Sequence, residues 1–267
     1  MNKDITQRCY SAEHQGMKVK YIDHMGNDLS VVNSAYASFG KMEHEYNPDK
    51  HDRLIQYLAK GMSSKDYKEL CEYLARGINK HSPQLDIVEE VSELLEKYRN
   101  TPSHWSPFTH TCITLQCTVP IAIHAQLVKH TVGFNINTVS RRYVSTTPEL
   151  FIPEFRSKPT GNIKQGSGDV HEHAHYWQVW YKRQAEASIR TYVDMIEAGI
   201  APEQARLILP QGVMTEFVWT GNVASFARMF NQRTDSHSQK EIQDLAHMVG
   251  EIIKPLYPVS WTALTGN

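Results

Sequence analysis

Between residues 113 and 119 the chain alternates without a break. Ile113, Leu115, Cys117 and Val119 fall on one side, Thr114, Gln116 and Thr118 on the other. Successive side chains of a strand point to opposite faces, so this run predicts a strand with one buried face. Pro120 follows where its missing N–H costs nothing, at the first position of a helix. On that helix Gln126, Lys129 and His130 lie three and four residues apart and share a face. A polar face that leaves a core strand and runs into a loop is a place to hold a ligand.

Around this strand the pattern is mostly helical. Met17 to Tyr21 alternates and reads as a short strand; Met25-Gly26-Asn27-Asp28 reads as a turn, with a short helix over Leu29 to Ser34. Asp52 to Tyr98 is helical and charged, with stripes at Leu54, Ile55, Leu58 and at Ile87, Val91, Leu94, Leu95, and a polar joint at Ser63-Ser64-Lys65. Ser157 to Gly168, rich in Gly, Pro, Ser and Lys, is expected to be a mobile loop. A long helix is expected from about Asp169 to Ala198, with Gly199 at its C-terminal cap and Pro202-Glu203 opening the next. The last strong helix is expected to start at Asp235 or Ser236, to carry Ile242, Leu245, Ala246, Val249, Ile252 and Ile253 inward, and to end at Pro255 and Pro258. Strands and helices in this mixture make the fold class α+β, a helix-rich single domain with a central mixed or antiparallel sheet.

Composition narrows the function. With 28 Lys+Arg against 29 Asp+Glu there is no basic surplus to grip nucleic acid, so phosphate binding should come from a few convergent arginines. No run approaches the length of a membrane span, and the start lacks a signal-peptide core. The four cysteines (Cys9, Cys71, Cys112, Cys117) are scattered, which suits a reduced, cytoplasmic protein. Cys112 and Cys117, an odd number apart, would face opposite ways on a strand. His171, His173 and His175 alternate, and alternate residues on a helix share no face. They read as a solvated helix start, and no metal site is expected.

The densest chemistry lies in QLVKHTVGFNINTVSRRY, Gln126 to Tyr143. Arginine presents a planar fork that matches phosphate oxygens, and hydroxyl and amide groups add neutral donors. By composition alone the stretch suits a polar surface loop equally well. Its order, however, resembles the signature of the flavin-dependent thymidylate synthases, in which R-H-R is followed by N-E-x-S and then R-Y. Here the matching residues are Lys129-His130-Thr131, then Asn137-Thr138-Val139-Ser140, then Arg142-Tyr143. Four further blocks are similar to that family: MGNDLSVVNSAYAS (Met25 to Ser38), HWSPFTH (His104 to His110), AGIAPEQARLILP (Ala198 to Pro210) and WTGNVASFARMFNQRTDSHSQKEI (Trp219 to Ile242).

The resemblance implies one catalytic domain over residues 1–267, with a helical insertion around 59–99. It further implies a homotetramer with active sites at subunit interfaces. FAD would be the cofactor, with NADPH and methylenetetrahydrofolate as co-substrates, and dUMP the pyrimidine nucleotide methylated at C5. Arg233 matches the catalytic arginine set against the uracil edge, where a fixed cation stabilises charge on N3 and O4; its plain alternative is an ion pair with Asp235 or Glu241. Gln126, Lys129, Thr138, Ser140, Arg141, Arg142 and Arg206 are the other implied nucleotide contacts. Ser140 has no base beside it and reads as a hydrogen-bonding group rather than a nucleophile. The implied flavin contacts are Ser38, His104, Ser106, Lys129, His130, Thr131, Asn137, Asn222, Arg228 and His237. The place of action would be the cytoplasm, of the host if the source is viral.

Several positions depart from the family pattern. Lys129 and Thr131 stand where arginines are usual, and Thr138 where the acidic residue of N-E-x-S stands. Thr109 replaces a frequent glutamate, Tyr36 an arginine and Arg228 an asparagine, and one extra residue lengthens the loop before Ser140. These leave two alternatives open. One is a related flavoenzyme that methylates or hydroxymethylates another pyrimidine nucleotide such as UMP or dCMP. The other is a non-catalytic relative that binds nucleotide or flavin.

Overall fold

A computed structural model describes residues 11–61, 68–72, 103–159 and 166–266. These divide into two compact units. The first is drawn from Met1–Asp23, Ile113–Gly221 and Met229–Ile252, the second from His24–Cys112, Asn222–Arg228 and Ile253–Asn267.

The first unit is built on a five-stranded sheet of β1 (Ser11–His14), β2 (Met17–Met25), β3 (Cys112–Pro120), β4 (Phe134–Thr138) and β5 (Met214–Gly221). The spatial order is β1-β2-β3-β5-β4, so the late strand β5 inserts between β3 and β4. β1–β2, β3–β5 and β4–β5 pair antiparallel. The alternating run is β3 as expected: Ile113, Leu115, Cys117 and Val119 are fully buried, and the threonines and Gln116 between them half-exposed. Register carries the buried face across the sheet, Leu115 opposite Trp219 and Cys117 opposite Phe217. On β5's other side Ile136 faces Trp219, and Thr138 faces Phe217. Residues of one face in register form one apolar layer, and Thr138 is the polar residue at its end.

Helix α3 (Ile121–Leu127) leaves β3 one residue later than expected, with Pro120 as its N-cap. Its first free N–H groups are met by a neighbouring loop, Ile121 N donating to Val213 O and Ala122 N to Gln211 O, both at 3.0 Å. Ile123 and Leu127, four apart, face the core. The long helix α4 runs over Ala174–Glu197, so the residues between Asp169 and His173 are not helical as expected. Gly199, with φ +83°, follows it. The short helix α5 (Pro202–Ala205) opens at Pro202, in keeping with the sequence.

The second unit holds α1 (Asp28–Tyr36) and α2 (Pro48–Lys60), defined by their caps. Asn27 and Ser30 form a reciprocal capping box on α1. Asn47 caps α2, Pro48 takes its first turn, and Gly61 ends it at φ 68°. Ile55 and Leu58 point inward as the stripe predicts, while Leu54 is half-exposed. The joint at Ser63-Ser64-Lys65, the stripe from Ile87 to Leu95 and most of the 59–99 insertion lie outside the described residues, as does the middle of the 157–168 loop.

Helix α6 covers Val223–Arg233 and α7 Lys240–Ile253. The predicted stripe of α7 is buried throughout. Its predicted start is not observed: Asp235 closes a turn, accepting from the backbone N–H of His237 at 2.8 Å and meeting its Nδ1 at 2.9 Å. A side chain used in a turn cannot also cap the helix, which starts five residues later. Pro258 does not stop α7 but opens α8 (Pro258–Thr265). Among the described residues no helix is long and apolar enough to cross a membrane.

Candidate active site

A cleft of about 600 Å³ opens in the first unit beside the ends of β4 and α3. This volume lies in the range that small-molecule sites occupy. Of the predicted nucleotide contacts, Thr138, Ser140, Arg141 and Arg206 line it, together with His124, Gln211 and Thr215. β4 ends at Thr138, and a turn follows in which Ser140 O accepts from Tyr143 N at 3.0 Å. That turn brings Ser140 and Arg141 to the cleft edge. Arg141 is steadied by a bond from Nη1 to Thr146 O. Arg206 opens the turn Arg206–Ile208 after α5, its Nε donating to Glu203 O at 3.3 Å.

Arg142 stands beside the cleft without lining it. Its Nε donates to Glu203 Oε2 at 3.1 Å, and its guanidinium lies 5.8 Å from the Tyr143 ring centre. Glu203 thus touches both Arg142 and Arg206 and holds two guanidiniums near one another. Arg142 binds the exposed Glu203 carboxylate and Arg206 the Glu203 backbone carbonyl, so Arg142 can exchange its carboxylate for a phosphate at little cost.

Gln126 and Arg233 form a second cluster. Arg233, in the last turn of α6, donates from Nε to His130 Nε2 at 2.8 Å and from Nη2 to Gln126 O at 3.1 Å. The alternative partners Asp235 and Glu241 do not hold it. Burial pulls the Arg233 pKa down, as expected for a cation half out of water beside neutral acceptors. The Gln126 amide donates to Gln239 Oε1 at 2.7 Å. His124 and Gln126 are two residues apart on α3, a rotation of about 200°, so their side chains leave that helix on opposite sides. Neither Gln126 nor Arg233 lines the cleft.

The predicted flavin contacts are spread over both units. Lys129, Thr131 and Asn137 are exposed around β4, and His237 is exposed in the turn before α7. His130 is buried, with Nε2 bound to Arg233. In the second unit Ser38 is exposed in the turn Ala37–Phe39, and Ser106 opens the turn Ser106–Thr109. Exposed His104 stacks on Tyr57 at 5.9 Å, and Thr109 Oγ1 donates to Ser106 O at 2.7 Å. Asn222 accepts from Ser225 N at 2.9 Å and so starts α6; Arg228 is exposed on the same helix. In the first unit Lys129, Thr131, Asn137 and His237 offer a cation, a hydroxyl, an amide and an imidazole, an exposed donor set that fits a phosphate-bearing group.

The described cysteines, Cys71, Cys112 and Cys117, do not line the cleft. Burial pushes the Cys117 thiol far up, out of thiolate range. His171 Nδ1 accepts from His173 N at 3.0 Å, and among the described residues no group of three or more His, Cys, Asp or Glu could hold a metal.

His124 is the site residue that sequence reasoning missed. Its Nε2 lies 2.9 Å from Thr138 Oγ1, and its ring meets Phe217 edge-on at 4.9 Å. Partial burial lowers its pKa. One signal was available, a lone imidazole in the apolar run Ile121-Ala122-Ile123, but the helical face chosen was the opposite one. Gln211 and Thr215 had no signal: β-pairing brings Thr215 to the cleft, and Gln211 is held there by its carbonyl, which accepts from Ala122 N.

Arginines, a serine and a threonine converge on one cleft, a donor set that suits a phosphate ester. More specifically, residues 20–259 match the family described as thymidylate synthase complementing protein, and the chain belongs to it. It is 30% identical to the flavin-dependent thymidylate synthase of Thermotoga neapolitana over 91% of this chain and 88% of that one. It is 31% identical to that of Dictyostelium discoideum over 63% of this chain and 56% of that one. The fold is like that of a solved UMP/dUMP methylase, PolB from Streptomyces cacaoi bound with 5-Br dUMP. The TM-score is 0.71 and the identity 22%, over 94% of this chain and 95% of that one.

Proposed function

We propose that this enzyme is a flavin-dependent thymidylate synthase that methylates C5 of dUMP. In this reading methylenetetrahydrofolate gives the carbon and NADPH reduces the FAD. The observation that carries the reading is the cleft itself, in which Ser140, Arg141 and Arg206 offer a phosphate site inside a chain of this family.

The geometry supports these roles. Arg141 and Arg206, with Arg142 released from Glu203, grip the phosphate, and Ser140 adds a neutral donor. Arg233 is held at two of its nitrogens by His130 and the Gln126 carbonyl, which fixes the plane of its guanidinium. Set against the uracil edge, that fixed cation stabilises negative charge on N3 and O4 and makes C5 more nucleophilic. Lys129, Thr131, Asn137 and His237, with Ser38, His104, Ser106, Asn222 and Arg228, would hold the flavin, and His130 acts through Arg233. When bound and reduced, the flavin supplies the hydride and carries the one-carbon unit. No thiol is asked to attack the pyrimidine, which agrees with the buried Cys117.

Arg233 does not line the cleft that holds the phosphate arginines. That separation supports a site completed by a second copy of the chain, within a homotetramer of single 1–267 catalytic domains acting in the cytoplasm.

Tritium release from C5-labelled dUMP tests the reading, with FAD, NADPH and methylenetetrahydrofolate present and labelled UMP and dCMP run alongside. Release from dUMP with dTMP formation is the expected result. Release from another nucleotide alone would move the substrate, and none from any would leave a binding protein.

A further inference from the structure

The cleft has a feature that phosphate binding does not use. His124 Nε2 and Thr138 Oγ1 are 2.9 Å apart, both line the cleft, and neither carries charge while His124 stays neutral. We infer that His124 and Thr138 form a specificity-determining pair that hydrogen-bonds the sugar hydroxyls of the bound nucleotide. The inference rests on the nucleotide reading given above.

The argument is one of placement and of donor chemistry. Thr138 is fixed by β4, opposite Phe217 of β5, on the face that α3 covers. His124 is fixed by α3 and by the Phe217 ring at 4.9 Å, so neither side chain is free to swing away. The dianionic phosphate belongs with Arg141 and Arg206 on the same cleft wall. The group bonded to that phosphate is the sugar, so the neutral polar pair beside the arginines meets sugar rather than phosphate.

A sugar hydroxyl both donates and accepts, and so does this pair. With the proton on His124 Nδ1, Nε2 accepts from the Thr138 hydroxyl, whose oxygen remains open to accept from ligand. With the proton on Nε2, the imidazole donates to Oγ1 and the threonine proton turns to the ligand. A carboxylate at position 138 could only accept, and would place a negative charge beside the phosphate. The pair therefore matches a hydroxyl in either sense without opposing the phosphate.

The experiment measures affinity of the FAD-loaded protein for dUMP, UMP and 2′,3′-dideoxyuridine monophosphate, in the unaltered chain and in Thr138→Val, Thr138→Ser and His124→Phe. Thr138→Val and His124→Phe are expected to weaken dUMP and UMP about tenfold, the worth of a hydrogen bond in a half-buried site, and to leave the dideoxynucleotide unchanged. Thr138→Ser keeps the hydroxyl and is expected to bind all three as the unaltered chain does. Equal losses for all three ligands would overturn the inference in favour of a scaffolding role, and no loss for any would overturn it outright. In either case turnover of dUMP by the unaltered chain would leave the proposed function standing. No uridine nucleotide bound by the unaltered chain would overturn both.

Discussion

Arg233 shows how a single residue is prepared for its work. A free guanidinium turns about its long stem, but this one is held by an imidazole nitrogen and a backbone carbonyl, neither of which cancels its charge. Lysine cannot meet both acceptors in one plane. Arg233→Lys is therefore expected to lower kcat by about 10²- to 10³-fold while the fold, followed by circular dichroism, is unchanged. His124 gives a second expectation, in pH. Its folded pKa lies below the usual 6.5 because burial disfavours the charged ring. Between the unfolded value and that lower one, the unfolded chain binds the extra proton, so stability is lost as pH falls below about 6.5. Melting temperatures at pH 7.5 and 5.5 should therefore differ less in His124→Gln than in the unaltered chain. These residues were unequally legible. A turn after a strand keeps Thr138, Ser140 and Arg141 together at the cleft, whereas Arg206 reaches it from the separate family block that follows α4. The His130–Arg233 bond joins residues 103 apart in sequence, and nothing local encodes it.

At the scale of elements, local rules held where the signal was local. The alternation of β3 and the stripe of α7 are each read within a dozen residues. β5 was missed because its inward residues Met214, Phe217 and Trp219 are unevenly spaced. It becomes a strand through its two neighbours. Its last residue shows the cost of that position: a Cβ on Gly221 would come within 2.5 Å of the Phe134 ring, itself packed 4.8 Å from Trp219. Gly221→Ala should destabilise the first unit by about 1–3 kcal/mol, read as a lower urea midpoint, because the ring cannot retreat freely. α8 was missed for a related reason: its cap is remote. Asp28, at the start of α1, accepts from Val259 N and Ser260 N, each at 2.9 Å, and from the Ser260 hydroxyl. Burial raises the Asp28 pKa against these hydrogen bonds, so the acceptors matter more than the charge. Asp28→Ala is expected to cost about 1.5–3 kcal/mol in urea unfolding, and Asp28→Asn, which keeps one acceptor oxygen, less.

For the whole molecule, the proposed function implies that one chain holds two half-sites. Ser140, Arg141 and Arg206 meet at the cleft, while Gln126 and Arg233, bound to one another, do not line it. A nucleotide is rigid enough that its phosphate and its base edge must be met from fixed positions at once. If a second copy supplies the missing half, the defects of Arg206→Ala and Arg233→Ala lie in different halves of each shared site. Each variant alone should be nearly inactive, since every site then lacks one arginine. In an equal mixture with free subunit exchange, a site draws its two halves from different chains. About one site in four then receives both intact halves, so roughly a quarter of the unaltered turnover should return. Tritium release from dUMP, before and after exchange, measures it directly. A monomer carrying its own complete site would show no recovery at any mixing ratio.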